Sequence, residues 1–207
     1  MKSFKNICKS MMCKFTSHQR PEDLLKDIKG PVLLHISDTP SEIYPYLFEI
    51  IDVLKPSYII HTGDLADNIK LEINRDRIKG YCSLVKELVD GLEKGDAKVY
   101  YFLGNHDDYE AVSTLSKKGT ILEEGLLTID ELKFRAGHYH REYSYNADFN
   151  LFGHSFDPCH YEKDGTIGLN GVLSINIIDL SNKRVFHVNY PVGTNRLRGM
   201  ESKRFGL

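Results

Sequence analysis

Cysteine is scarce in this 207-residue sequence, and the four that occur are widely scattered, at Cys8, Cys13, Cys82 and Cys159. No two of them have the two-residue spacing of a zinc knuckle, and their density is far below that of a disulfide-stabilised secreted domain. The sequence therefore argues against both classes of protein. We expect reduced thiols and a cytoplasmic location.

Long apolar runs and an excess of basic charge are also missing. No run approaches the roughly 18 apolar residues of a membrane-spanning helix, and residues 1–16 lack the unbroken apolar core of a secretory leader. The formal net charge of −2 and the sequence pI near 6.5 leave no overall basic field to attract nucleic acid or an anionic membrane. We therefore expect neither membrane nor nucleic acid as a partner, and the oligomeric state stays open.

The sequence does contain enough apolar residues for one domain. Of its 207 residues, 41% are hydrophobic and 27% are charged, which suits a single globular domain that buries about 70% of its unfolded surface. We predict an N-terminal extension over residues 1–30, ending at Gly30-Pro31, and a domain over residues 31–207.

Apolar periodicity divides this domain into two halves. The first half alternates buried strands with helices, at residues 32–36, 41–54, 58–61, 73–92 and 98–103. This order predicts parallel strands joined by right-handed crossovers. The second half begins with a short helix and continues as strands joined by tight turns, at residues 109–118, 126–129, 132–136, 149–152, 172–180 and 184–190. These strands predict a mixed sheet that packs against the first.

Residues of the kind that bind metals follow five of the predicted strands. They are Asp38, Asp64, Asn105, His138 and His154. Ligands of α/β proteins gather at the carboxyl ends of parallel strands, so we expect the first three to meet there. Carboxylate, amide oxygen and imidazole together form the mixed oxygen and nitrogen set that suits manganese, iron or zinc.

Gly104-Asn105-His106-Asp107 is the densest group of such residues. Asn105 can bind a metal through oxygen without adding charge, which leaves His106 free to act on a substrate. A Gly-Asn pair also forms ordinary turns, so these four residues alone leave both interpretations open. The recurrence of ligand-type residues at five strand ends favours the catalytic interpretation.

The order of these motifs resembles the calcineurin-like metallophosphoesterase superfamily, in its small, single-domain bacterial type. The resemblance runs from Asp38 through Gly63-Asp64 and Gly104-Asn105-His106-Asp107 to His138 and Gly153-His154. It implies an α/β fold in which two mixed β-sheets pack face to face, flanked by helices. It also implies a two-metal site at one end of these sheets.

The resemblance further implies a role for each residue. Asp64 corresponds to the carboxylate that bridges the two metals, and Asn105, His138 and His154 correspond to the remaining ligands of one of them. His106 corresponds to the histidine that contacts the phosphate and protonates the leaving oxygen. Asp107 corresponds to the carboxylate that holds the ring of this histidine.

Two positions depart from the family pattern, and both belong to the other metal. The family's Asp-x-His is here Asp38-Thr39-Pro40, and its Gly-His-x-His is here Gly153-His154-Ser155-Phe156. Only Asp38 and Asp64 remain for that ion, which predicts one tightly bound transition metal and a second site that is weak or empty. Replacement ligands from His140 or His160 are an alternative that the sequence leaves open.

The function implied by the resemblance is metal-dependent hydrolysis of a small-molecule phosphate ester. A metal-bound hydroxide attacks phosphorus, and His106 assists the leaving group. The alternative is a catalytically degenerate member of the same fold that acts as a binding or scaffold module. The presence of both His106 and Asp107 favours the enzyme, because a scaffold needs neither. The sequence does not separate monoesters from diesters.

Overall fold

Two β-sheets lie face to face in the computed structural model of the protein, which describes residues 21–142 and 147–200. The first 20 residues of the predicted N-terminal extension lie outside this part of the chain, as do residues 143–146 and 201–207. Both sheets are mixed and helices flank them, which confirms the predicted fold class.

The described strands divide between the two sheets. In chain order they are β1 Val32–Ile36, β2 Tyr58–His61, β3 Lys98–Phe102, β4 Thr120–Leu122, β5 Gly125–Ile129, β6 Leu132–Ala136, β7 Phe149–Phe152, β8 Tyr161–Lys163, β9 Thr166–Asn170, β10 Ile175–Asp179 and β11 Arg184–Val188. The first sheet has the order β11-β10-β1-β2-β3-β4, and the second has the order β5-β6-β7-β9-β8. As predicted, β1, β2 and β3 are parallel to one another.

The described part of the chain has five helices, and the first four pack on one face of the first sheet. The five are α1 Pro21–Leu24, α2 Tyr44–Leu54, α3 Ile78–Leu92, α4 Tyr109–Leu115 and α5 Thr194–Leu197, with 3₁₀ turns at Ser41–Ile43 and Arg75–Arg77. Asp108 caps α4, since its side chain accepts a hydrogen bond from Ala111 N at 2.9 Å. Among the residues that the structure covers, no helix is both long enough and apolar enough to cross a bilayer.

Three strands were missed by the sequence analysis, and three were predicted too long, at residues 98–103, 172–180 and 184–190. β4 and β8 have three residues each, too few to show a periodicity. Gly168 interrupts the pattern of β9, where the ring of Tyr161 occupies the space that a side chain would take. The strand predicted at residues 172–180 begins only at Ile175, and the helix predicted at residues 109–118 ends at Leu115.

The apolar side chains of β1 point alternately to its two faces and so enter two separate apolar layers. Leu34 packs into the cluster beneath the helices, and Leu33 packs into the cluster between the sheets. Phe134 of β6 and Phe149 of β7 lie in the cluster between the sheets, and their rings stack with centroids 5.0 Å apart. Because β1 is buried on both faces, all of its residues except His35 are apolar.

The residues just before the predicted domain boundary pack against the domain. Leu24 is fully buried in the cluster beneath the helices. Lys29 N donates a hydrogen bond to Asp179 Oδ2 at 2.6 Å, at the end of β10. The boundary at residue 30 stays a prediction.

Phe134→Ala is expected to lower the free energy of unfolding by about 3–5 kcal/mol, because it removes a fully buried ring from the layer between the sheets. Urea denaturation measures this loss. The control is Leu126→Ala on β5, where the side chain is 58% exposed and the expected change is within about 0.5 kcal/mol. Equal losses in the two variants would contradict the position of the layer between the sheets.

Candidate metal centre

Loops after five strands bring Asp38, Asp64, Asn105, His138 and His154 together at one end of the two sheets. His138 Nε2 lies 3.1 Å from Asn105 Oδ1, 3.1 Å from His154 Nδ1 and 3.6 Å from Asp64 Oδ2. Asp38, Asp64 and His138 offer ligand atoms that all lie within 4.8 Å of one another. Atoms that bind one ion at about 2.1 Å stand roughly 3–4 Å apart, so these separations fit a metal centre.

Three of these residues have left-handed backbone conformations. The φ angle is 51° at Asp38, 56° at Asp64 and 67° at His154. Such conformations cost about 1–3 kcal/mol each, and they persist only where the surroundings impose them. Here Asp38 N donates to Gly63 O, and Thr39 N donates to Asp64 O, both at 2.9 Å. The loops after β1 and β2 therefore hold each other in place, with one left-handed candidate ligand in each loop.

The close approach of neighbouring carboxylates explains the glycines that directly precede Asn105 and His154. A β-carbon at Gly104 would lie against Asp64 Oδ1, and one at Gly153 would lie against Asp38 Oδ2. Only glycine leaves room for these carboxylates at the positions where the loops meet.

Hydrogen bonds determine which atoms of His138 and Asn105 face the centre. His138 Nδ1 donates to the carbonyl oxygen of Thr62 at 2.8 Å, so Nε2 carries no proton in the neutral ring. Asn105 Nδ2 donates to Glu72 Oε2 at 2.5 Å, which turns Asn105 Oδ1 towards His138 Nε2. Two acceptors therefore face each other with no proton between them. A cation between them makes this arrangement favourable, so the donor set fits a divalent transition metal.

Asp64 is buried among other carboxylates. Only 3% of its surface is exposed, and burial, followed by the charges of Asp107 and Asp38, raises its pKa well above the usual value. The hydrogen bond from His106 N to Asp64 Oδ1, at 3.1 Å, partly offsets this rise. A bound cation would favour the ionised carboxylate, so the electrostatics also fit a site for positive charge.

Asp107 does not hold the ring of His106, and that prediction was wrong. Its Oδ1 accepts hydrogen bonds from Leu65 N at 2.9 Å and Tyr81 OH at 2.8 Å. Its Oδ2 accepts from Asp64 N at 2.7 Å and Gly104 N at 2.8 Å. The reason is that the turn after β3 directs this side chain back towards backbone N–H groups that leave the ends of two strands. Asp107 therefore joins the loop after β2 to the loop after β3.

The ring of His106 lies beside the ligands. Its side chain is 12% exposed, and Nδ1 lies 3.6 Å from Glu72 Oε2. Burial, followed by the charge of Lys70, lowers the pKa of His106 to about 4. The ring is therefore neutral near pH 7 in the free protein.

The two histidines considered as replacement ligands are engaged elsewhere. His140 Nε2 is hydrogen-bonded with Tyr161 OH at 3.2 Å. His160 Nε2 is hydrogen-bonded with Ser174 Oγ at 3.1 Å, and the His160 ring stacks on that of His187. Within the two described segments, neither histidine lies at the centre, so Asp38 gains no imidazole partner from them.

Asp67 and Lys70 lie at the centre, and the sequence analysis missed both. The side chain of Asp67 is fully buried, and its carboxylate lies within 4.8 Å of ligand atoms of Asp64 and His106. Lys70 Nζ donates to Asp67 Oδ1. Burial, followed by the charge of Asp38, raises the pKa of Asp67, and the charge of Lys70 opposes this rise. The sequence signal that could have identified Asp67 is its position, three residues after the candidate ligand Asp64.

His154→Ala is expected to remove the tightly bound metal, because a centre with four protein ligands depends on each of them. His154 is exposed, so the variant loses little packing. Metal analysis after dialysis should show about one transition-metal ion per chain in the parent and almost none in the variant. A chelator should lower the melting temperature of the parent but not of the variant, because the ion stabilises only the folded state that binds it.

The matched control for this variant is His140→Ala, which removes a half-buried histidine two residues after His138. It is expected to keep the metal. Loss of the metal in His140→Ala, or its retention in His154→Ala, would contradict the assigned ligands.

Comparisons with known proteins identify the family and the fold. The family model for calcineurin-like phosphoesterases matches residues 31–199. An archaeal phosphodiesterase of known structure is 20% identical, with a TM-score of 0.55 over 76% of this chain and 99% of that chain. YfcE, a phosphoesterase from E. coli, is 15% identical, with a TM-score of 0.53 over 77% and 100%. Vacuolar protein sorting 29 from Cryptosporidium parvum is 16% identical, with a TM-score of 0.41 over 76% and 95%.

No curated protein matches the chain. The likeness to the archaeal phosphodiesterase and to YfcE shows the shared fold of two mixed sheets and flanking helices. The family match covers most of the chain and includes every residue of the centre, from Asp38 to His154. The chain therefore belongs to the calcineurin-like phosphoesterase family.

Proposed function

We propose that the protein is a metal-dependent phosphoesterase that hydrolyses a small-molecule phosphate mono- or diester in the cytoplasm. The observation that supports this most strongly is the set of unprotonated acceptors around His138 Nε2, with the ring of His106 beside them. Membership of the family supports phosphate esters as the substrate class.

Asp64, Asn105, His138 and His154 would hold the tight metal, which we take to be manganese, iron or zinc. The bound cation would act as a Lewis acid on a phosphate oxygen and lower the pKa of water. Thr62 O and Glu72 hold His138 and Asn105 in the orientation that this requires.

His106 acts on the substrate and not on the metal. Its backbone N–H donates to Asp64 Oδ1, which places the ring next to the ligands. A bound phosphate brings negative charge beside the neutral ring and raises its pKa, so the imidazole takes up a proton. The ring then gives this proton to the leaving oxygen.

One edge of the otherwise buried centre is open to solvent. The ligand His154 is exposed. Tyr139 is 41% exposed, and its ring centroid lies 4.5 Å from that of His154. A phosphate ester therefore has access to the ligands past these two rings.

His106→Asn is expected to reduce kcat by about 10²–10⁴, the contribution of a positioned proton donor. Metal content should not change, because the ring is outside the proposed ligand set. The assay compares aryl phosphate mono- and diesters with the fully metal-loaded protein. Loss of metal in the variant would make His106 a ligand. Failure of the unmodified protein to hydrolyse any of these esters would favour the binding or scaffold function.

Asp107→Asn is expected to weaken metal binding and fold stability as well as activity. One carboxylate oxygen becomes an N–H₂ group, which faces N–H or O–H donors and leaves them unpaired at about 1–3 kcal/mol each. Urea denaturation and metal titration measure the two effects. A loss of kcat alone, with stability and metal affinity unchanged, would show that Asp107 acts through His106 after all.

A further inference from the structure

The ammonium group of Lys70 lies at the edge of the metal centre. Its Nζ donates to Asp67 Oδ1, and the Lys70 side chain is 30% exposed, whereas that of Asp67 is fully buried. The carboxylate of Asp67 lies within 4.8 Å of ligand atoms of Asp64 and His106. Lys70 is therefore one hydrogen bond away from a carboxylate of the centre.

Backbone contacts place Asp67 near the half of the centre that lacks two family ligands. Asp67 N donates a hydrogen bond to Thr39 O at 3.1 Å, directly after Asp38, and Thr39 N donates to Asp64 O at 2.9 Å. Asp67 with its bound Lys70 thus lies close to Asp38, Asp64 and His106, where the second cation of the family would be held.

We propose that the Lys70 ammonium group replaces the second metal ion: it neutralises Asp67 and donates a hydrogen bond to a non-bridging oxygen of a bound phosphate group. This role rests on the proposed function. Lysine has three N–H donors and a compact positive charge. One donor is used by Asp67, and the partial exposure of the side chain gives a phosphate oxygen access to the others. Pro40 and Phe156 bring no metal ligand that would compete for this position.

The competing arrangement makes Asp67 a ligand of a second cation. Its Oδ2 is buried and has no hydrogen-bond partner in the described part of the chain. Asp38, Asp64 and Asp67 would then form an all-oxygen site of the type that suits magnesium or manganese. A dication on Asp67 would repel Lys70, so the two arrangements exclude each other. They predict opposite results when Lys70 is removed.

The test titrates the protein with Mn²⁺ and then titrates the loaded protein with inorganic phosphate, both by calorimetry. The unmodified chain is expected to bind about one Mn²⁺ tightly, as a single four-ligand centre would. When loaded with one Mn²⁺ per chain, Lys70→Met, which keeps an unbranched side chain as far as Cε, should bind phosphate roughly 10- to 100-fold more weakly than the parent. It should also gain a second Mn²⁺, because Asp67 becomes available.

Two further variants test the parts of the proposal separately. Lys70→Arg keeps the charge and should retain phosphate binding. Lys70→Met combined with Asp67→Asn should lose phosphate affinity without gaining a second Mn²⁺. This double variant removes both charges of the ion pair and leaves no unpaired buried carboxylate, so it tests the phosphate contact even if Lys70→Met alone does not fold.

The matched control is Lys86→Met, because Lys86 forms the same kind of ion pair with Asp90 on the exposed side of α3. It is expected to behave like the parent in both titrations. The proposal is overturned if the unmodified protein binds two Mn²⁺ ions with similar affinity, or if Lys70→Met binds phosphate as tightly as the parent. Neither titration depends on turnover. A lack of hydrolysis would therefore contradict the proposed function, whereas the two titrations would still decide the role of Lys70.

Discussion

The geometry of the centre depends on four hydrogen bonds that the Asp107 carboxylate accepts. Three donors are backbone N–H groups, two from the loop after β2 and one from Gly104 at the end of β3. Because Asp64 N is one of these donors, Asp107 also sets where the Asp64 carboxylate points. Asp64 Oδ1 in turn accepts from His106 N, so the positions of a candidate metal ligand and of the His106 ring are linked. Burial raises the pKa of Asp107, and the hydrogen bonds from Gly104 and Leu65 oppose the rise by stabilising its charge.

A second contact ties the two sheets together at the same place. His138, which follows β6 in the second sheet, donates through Nδ1 to Thr62 O after β2 in the first sheet. This one hydrogen bond selects the tautomer of His138 and sets its distance from Asp64. The apolar layer between the sheets, with the stacked rings of Phe134 and Phe149, keeps that distance constant.

The sequence predicted which candidate ligands lie together better than it predicted their supporting contacts. Asp64 and His154 each follow an apolar run, and the end of a buried strand is a position that periodicity locates. The orientation of the Asp107 side chain depends on N–H donors from a different loop. No local sequence pattern predicts these donors. Lys70 lies six residues after Asp64 in an irregular segment, so no periodicity in the sequence predicts its ion pair with Asp67. β8 and β9 were missed because a short polar edge strand and a glycine-containing strand show no alternation.

At Asp38, a buried arginine supports the backbone that carries the carboxylate. Arg198 is 1% exposed, and it donates to Asp38 O at 2.6 Å and to Ser37 O at 3.2 Å. Its guanidinium carbon lies 4.2 Å from the centroid of the Tyr190 ring, which stabilises the buried cation. The charge of Arg198, like that of Lys70, opposes the raised pKa of Asp67. Positive charge in this half of the centre is therefore supplied by two side chains, and since they are covalent parts of the chain, it does not depend on the metal concentration.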